Sequence, residues 1–232
     1  NGPAGDPLLR MVVPDRRELD RGAGLQSDPL AEKRYSPVAG LVHRYPDRVL
    51  WLLTTGCASY CRFCTRRRLV GRGWQALEPA QLDACIEYLR TADKVREVIL
   101  SGGDPLLLSD DYLADVFERV RKLSTIEVIR LGTRMPVMVP QRITARLVSL
   151  LVAVQPLFVL THINHPAELT PVTEHALTTL ANAGVPLANQ TVLLRKVNDS
   201  ASTLEVLFRR LLALRVRPYY LHQCDLTEGV GH

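Results

Sequence analysis

Lysine is scarce in this chain of 232 residues: Lys33, Lys94, Lys122 and Lys196 are the only ones, so nearly all positive charge is arginine. Twenty-nine basic against 24 acidic residues leave a formal charge of +5, too mild for the dense basic field of a dedicated nucleic-acid binder. No apolar run reaches the roughly 18 residues of a membrane-spanning helix, and no signal-peptide pattern opens the chain. The five cysteines are odd in number and three are crowded into one window. That excludes a secreted disulfide framework and points to a reducing, cytoplasmic compartment. What remains, 47% apolar and 23% charged, is enough for one substantial core.

The crowded window reads Cys57-Ala58-Ser59-Tyr60-Cys61-Arg62-Phe63-Cys64 and follows an apolar, strand-like run. Three thiolates are one short of a closed tetrahedral zinc site, whose cysteines usually come as two separated pairs. An iron–sulfur cubane has four irons, so three cysteines leave one iron open to a ligand that is not protein. Arg62, Arg66, Arg67, Arg68 and Arg72 surround the window. For Arg67 and Arg68 a solvated basic face is as good a reading as recognition of a carboxylate or phosphate.

Strand-length apolar runs recur at 49–54, 97–101, 127–131, 158–163, 187–194 and 218–224. Between them lie helical stripes, among them Leu82/Cys85/Ile86/Leu89 and Leu113/Val116/Phe117/Val120. Gly184 ends another stripe as a C-terminal cap, and Ser202-x-x-Glu205 opens the last as a capping box. Six strands alternating with helices predict a parallel sheet with right-handed crossovers, buried on both faces. Such a unit curls into a partial (β/α)6 TIM-like barrel with its site at the carboxyl ends of the strands. The polar punctuation falls at those ends: the cysteines, Ser101-Gly102-Gly103-Asp104-Pro105, Gly132-Thr133-Arg134, Thr161-His162-Ile163-Asn164-His165, and Gln223-Cys224-Asp225. Residues 1–40 read as an irregular, partly helical arm, and 41–232 as the barrel core. The chain begins at Asn1 and stops at His232 without a sixth helix, which leads us to expect a truncated core.

Each candidate has a plainer explanation. Gly102-Gly103 alone can be a tight turn, and its functional value is close backbone approach to a ligand. His162 and His165 alone read as satisfied structural histidines. Cys85 lies in a helical stripe and reads as core, and Cys224 as packing. Asp225, directly after a strand, is placed to hold a substrate cation. Arg44 and Arg48 flank Tyr45-Pro46-Asp47 and could join the anionic pocket near the cysteines.

Cys-x3-Cys-x2-Cys with Phe63 before the last cysteine resembles the signature of radical S-adenosylmethionine enzymes, and further motifs resemble the lysine 2,3-aminomutase family among them. These are His43–Arg48, Cys64–Arg68, Ser101–Pro105, Pro140–Thr144, Thr161–Pro166, Ala183–Leu187 and Arg217–Asp225, in order along nearly the whole chain. The resemblance implies an α/β fold, the partial barrel of the radical S-adenosylmethionine type. It implies that Cys57, Cys61 and Cys64 ligate a [4Fe–4S] cluster. Gly102, Gly103 and Asp104 would then support the methionine end of S-adenosylmethionine, with His162 and Gln190 lining that site. Arg44, Tyr45 and Arg48 would hold the phosphate of pyridoxal 5′-phosphate, Arg66 the substrate α-carboxylate and Asp225 its distal ammonium. An electron from a donor such as flavodoxin or ferredoxin would cleave S-adenosylmethionine to a radical that takes a C3 hydrogen from L-lysine. The nitrogen would then move from C2 to C3, giving L-β-lysine.

The chain departs from the family in two places. None of the four lysines stands in the family's glycine-rich Schiff-base segment, so this chain as given should be unable to form that bond. Ser200 stands where the family's structural zinc draws a cysteine, so we expect no zinc, and Lys196 replaces a glycine common in that loop. The expectation is a cytoplasmic homo-oligomeric isomerase with a small amino-acid substrate and no nucleic-acid or membrane partner. The alternatives are an aminomutase acting on a translation-factor lysyl residue or on glutamate, and a non-catalytic module binding zinc and an anion. Asp225 disfavours glutamate through like-charge repulsion.

Overall fold

A computed structural model describes residues 5–19, 22–71, 73 and 75–231; Arg72 of the arginine cluster lies outside them. The chain opens with helix α1 (Pro7–Val12), then β1 (Leu41–Tyr45), β2 (Arg48–Thr54) and α2 (Pro79–Thr91). It continues as β3 (Glu97–Gly102), α3 (Asp110–Arg121), β4 (Val128–Gly132), α4 (Met135–Met138) and α5 (Ala145–Ala153). It ends with β5 (Leu157–Thr161), α6 (Pro171–Asn182), β6 (Leu187–Leu193), α7 (Ala201–Ala213) and β7 (Val216–Gln223). The strands form one sheet in chain order, parallel from β2 to β7, with no pairing between its two edges among the described residues. This is the expected α/β architecture, a partial barrel.

Strand β1 was not expected. It pairs antiparallel with β2 through a two-residue turn, Pro46-Asp47, with Tyr45 opposite Arg48. Its five residues carry His43 and Arg44 at the exposed end, so no apolar run announces it; the Tyr-Pro-Asp-Arg turn is the signal that could have. A second difference concerns burial. Along β2 to β4 buried residues alternate with half-buried ones, so only the helix-facing side is sealed. Val49, Trp51, Leu53, Val98, Leu100, Ile129 and Leu131 pack there against the α2 and α3 stripes and Leu147 and Leu151 of α5. The other side lines the barrel interior and carries Arg48, Glu97 and Arg130, all half-buried. Cys85 is fully buried in the core, as its helical stripe implied.

Side-chain caps fix the helix starts. Ser109, Thr144, Thr170 and Ser200 each accept a backbone N–H in the first turn of α3, α5, α6 and α7. Helix α7 therefore starts at Ser200, two residues before the Ser202-x-x-Glu205 box read from the sequence, because Ser200 accepts from Thr203. Ser200 thus has a structural task where the family's pattern has cysteine. Lys196 sits at φ 60°, left-handed backbone that accounts for the glycine usual at this position. Gly184, at φ 81°, ends α6 as expected.

The N-terminal arm lies across the mouth of the sheet. Asp6 caps α1, Met11 is buried, and the Met11 carbonyl accepts the Arg62 N–H at 2.8 Å. Further along, Gln26 bridges Thr227 after β7, so the arm spans from the cysteine loop to the last strand.

Candidate active site

The cysteine loop leaves β2 at Thr55 and returns at Gln75, where the Thr55 N–H donates to the Gln75 carbonyl at 2.9 Å. Cys57, Cys61 and Cys64 hang from it as half-buried free thiols. Burial, with Asp104, Cys61 and Cys64 adding to it, pushes the Cys57 thiol up to about 12. Burial also raises Cys64. The thiols are close enough to influence one another, yet among the described residues no three His, Cys, Asp or Glu side chains converge to hold one metal ion. A tetrahedral ion needs all donors about 2.3 Å from one point, whereas a cubane takes each thiolate at a separate iron. The donor set, three soft thiols on one loop, fits the cluster.

The arginines beside the cysteines are not a solvated face. Half-buried Glu18 and buried Glu32, both from the arm, each bind two of them. Glu18 binds Arg62, with Nε at 2.7 Å, and Arg67. Burial raises the Glu18 carboxyl, but hydrogen bonds from Arg62 and Arg67 outweigh that and bring it to about 2. Glu32 binds Arg66 at 2.7 Å and Arg68 at 2.8 Å, and Asp28 adds a contact to Arg68 at 3.0 Å. Sequence reading missed both glutamates because their partners are more than 30 residues away in the chain.

Gly102 and Gly103 are required by backbone packing. A Cβ on Gly103 would lie 2.0 Å from the Gly56 carbonyl oxygen, and one on Gly102, at φ 127°, would lie 2.3 Å from that of Thr54. Their contact draws the end of β3 onto the root of the cysteine loop, with Gly103 N–H donating to Thr54 and Asp104 N–H to Gly56. The buried Asp104 carboxylate accepts from Leu106 N–H, Thr133 Oγ1 at 2.7 Å and Arg134 N–H at 2.8 Å. It clamps the ends of β3 and β4, and burial raises its pKa despite those donors.

Arg134, seen in the sequence only as punctuation, is the most connected side chain here. Its Nη1 donates to Cys61 Sγ at 2.7 Å, its Nε to the His162 carbonyl at 3.0 Å, and its Nη2 pairs with Glu168. The guanidinium lies 5.7 Å over the Phe63 ring. Burial opposes its charge, yet Cys61 and Glu168 outweigh burial and hold its pKa above the usual arginine range. Asn164, Asn189 and Asn198 staple the loops after β5 and β6, with Asn189 exchanging two bonds with Ile163 and Asn198 bridging Asn164 and Val192.

The two candidate histidines part company. His165 caps a turn, its Nδ1 accepting from Ala167, as the structural reading had it. His162 stacks on Phe63 at 5.6 Å, and its enclosed Nδ1 has no partner among the described residues. Burial, then the positive charge of Arg134 and His222, lowers its pKa to about 3. The folded chain therefore holds His162 neutral while the unfolded chain protonates it below about pH 6.5. Stability is fully present above pH 6.5 and is lost as the pH falls towards 3, by up to about 1.4 kcal/mol per unit. Urea titrations at pH 7, 6 and 5 check this, and His162→Gln should flatten that part of the profile. Gln190 is half-buried at a register shift in β6, opposite Tyr220.

Asp225 is exposed just after β7, with its carboxylate in no hydrogen bond or ion pair among the described residues. A cavity of about 610 Å³ opens between α1, the cysteine loop and the ends of β6 and β7, bordered by Arg62, Phe63, Leu193, Leu194, Gln223 and Cys224. Arg44, Tyr45 and Arg48 do not join this pocket. They stand at the opposite end of β2, about 20 Å away at the rise of an extended strand. There Arg44 lies over the Tyr35 and Tyr45 rings, and Arg48 pairs with Asp47 at 3.0 Å. Arg130 bonds Glu97 at 2.9 Å and the Tyr219 hydroxyl at 3.2 Å in the same interior.

The Radical SAM superfamily pattern matches residues 51–207. The chain belongs to the Radical SAM superfamily. It is 50% identical over 227 residues to the L-lysine 2,3-aminomutase of Acetoanaerobium sticklandii, covering 98% of this chain and 55% of that protein. It is 47% identical over 227 residues to the L-lysine 2,3-aminomutase of Clostridium subterminale, covering 98% of this chain and 55% of that protein. It is also 39% identical over 228 residues to the glutamate 2,3-aminomutase of Clostridioides difficile, covering 98% of this chain and 54% of that protein. The chain thus spans about half the length of the curated relatives it matches. A solved structure of polyhistidine-tagged anSMEcpe with bound AdoMet shares the fold at TM-score 0.56 and 14% identity, covering 75% of this chain and 49% of that one. Among the described residues no helix is long and apolar enough to cross a membrane.

Proposed function

We propose that this chain is the core of a radical S-adenosylmethionine isomerase that moves the α-amino group of L-lysine to C3. The observation that carries the reading is the cysteine loop: three free, half-buried thiols at the strand-end mouth, with an open cavity bordered by their neighbours Arg62 and Phe63. That cavity lies within the roughly 300–1,000 Å³ usual for small-molecule sites. Cys57, Cys61 and Cys64 would hold the cluster, and the raised pKa values of Cys57 and Cys64 mean that loading must release protons. Gly102, Gly103 and Asp104 support S-adenosylmethionine indirectly, by fixing where the loop stands. His162, stacked on Phe63, and half-buried Gln190 would line the same site. Arg66 takes the substrate carboxylate, and exposed Asp225 its distal ammonium.

Arg44, Tyr45 and Arg48 offer cationic and hydroxyl groups suited to a phosphate, here that of pyridoxal phosphate. All four lysines are exposed, so the described chain puts no amine inside the barrel for a Schiff base. When bound, the cluster would supply the electron that divides S-adenosylmethionine, and pyridoxal phosphate would supply the π-system over which the unpaired electron spreads while the nitrogen migrates. The reductant in the cell would be a small electron-transfer protein such as flavodoxin or ferredoxin.

The test is anaerobic reconstitution with iron and sulfide. The expected outcome is about four irons per chain and S-adenosylmethionine binding that depends on them. With pyridoxal phosphate and reductant, the full-length protein should convert L-lysine in preference to L-glutamate. Tight zinc with no cluster would sink the reading, and a preference for glutamate would move it to the glutamate enzyme.

A further inference from the structure

Resting on the reading that Arg66 grips the substrate α-carboxylate, we propose that Glu32 of the N-terminal arm is the positioning residue that aims Arg66. Glu32 is 4% exposed, and each of its oxygens has its own partner. Oε1 accepts from Arg66 Nε at 2.7 Å, and Oε2 accepts from Arg68 Nη2 at 2.8 Å. The turn that carries it is itself tied down. The Asp28 carboxylate accepts the backbone N–H of Glu32 at 3.1 Å and that of Lys33 at 3.0 Å, and also pairs with Arg68.

A guanidinium presents two edges to a carboxylate, one through Nε and Nη2, the other through Nη1 and Nη2. Oε2 is committed to Arg68, so Glu32 meets Arg66 through Nε alone. Nη1 of Arg66 makes only a long 3.4 Å contact with Ser101 Oγ, at the mouth end of β3. Nη2 has no partner among the described residues. The Nη1/Nη2 edge is thereby left for a carboxylate arriving at the strand ends, and the Nε contact sets its direction. A glutamate that instead occupied Arg66 in place of substrate would be expected to take the two-pronged grip itself.

The experiment uses the reconstituted full-length enzyme and calorimetric binding of two probes. One is L-lysine; the other is 1,5-diaminopentane, the same diamine without the carboxylate. Arg66→Gln should weaken L-lysine strongly and leave diaminopentane unchanged. Glu32→Gln should weaken L-lysine about tenfold, again sparing diaminopentane, with the reduced cluster's EPR signal unaltered. Arg68→Gln, which releases Oε2, should act in the same direction at smaller size, and it carries the test should Glu32→Gln not fold.

If Arg66→Gln weakens L-lysine while Glu32→Gln and Arg68→Gln do not, Glu32 has no aiming role and the carboxylate reading survives. Tighter L-lysine binding in Glu32→Gln would make Glu32 a competitor and overturn the proposal. Arg66→Gln without effect overturns it too, together with the reading on which it rests. Equal loss for both probes would mean that Glu32 merely holds the loop, which also overturns it.

Discussion

Cys61→Ala should bind no S-adenosylmethionine above background after reconstitution, and its iron should fall from about four per chain to background. The reason lies in the number of thiols, three for a cluster that leaves one iron to another ligand. Each is needed at its own iron, so two cannot share the third's task, and among the described residues no neighbouring His, Asp or Glu converges to replace it. Cys57→Ala and Cys64→Ala should behave alike, because all three leave one loop that is rooted by the Thr55–Gln75 closure. The two remaining cysteines provide the contrast. Cys85→Ser disturbs a sealed core position without touching iron content, and Cys224→Ser alters only a cavity wall. Iron and sulfide analysis with EPR of the dithionite-reduced protein reads all five variants. Full cluster occupancy in Cys61→Ala would remove this residue from the ligand set.

The parallel strands were legible because each is an apolar run bounded by polar punctuation, and sheet-buried strands leave that signature. Strand β1 was illegible because half of its residues face outward and its partner is a hairpin neighbour rather than a helix. The cysteine spacing was legible as chemistry, since soft donors in one short window have few structural uses. The residues that arrange the site were not. Glu18, Glu32, Glu168 and the three asparagines reach across 26 to 49 positions of sequence, to partners that only the fold brings near. Composition records that an acid is present, and nothing in a local window says which arginine it meets. Asp104 shows the same limit in reverse. The sequence places it at a strand end and suggests a ligand contact, whereas its carboxylate is spent on Leu106, Thr133 and Arg134. Its service to a ligand is therefore exerted through the loops it ties.

Arg134 brings these threads to one atom group, and its replacement should be the costliest single change outside the cysteines. Arg134→Met removes the cation from a buried pair while leaving Glu168, 6% exposed, in place. Breaking such a pair costs about 3–5 kcal/mol, because the remaining charge is uncompensated. Two backbone N–H groups, of Asn164 and His165, still donate to Glu168 Oε1, which places the expected loss near about 3 kcal/mol. The same change removes the donor to Cys61 Sγ, the strut to the His162 carbonyl and the cation over Phe63. Anaerobic urea unfolding at pH 7 measures the stability term, since the midpoint should fall with little change in slope. Arg134→Met/Glu168→Met should recover part of the loss, as removing both charges leaves no buried ion. The His162 titration should respond as well. Without the nearby guanidinium its pKa rises from about 3, so the acid-side loss of stability becomes smaller in Arg134→Met than in the parent. A double variant no more stable than Arg134→Met would mean that the loss came from the severed contacts rather than from the stranded carboxylate.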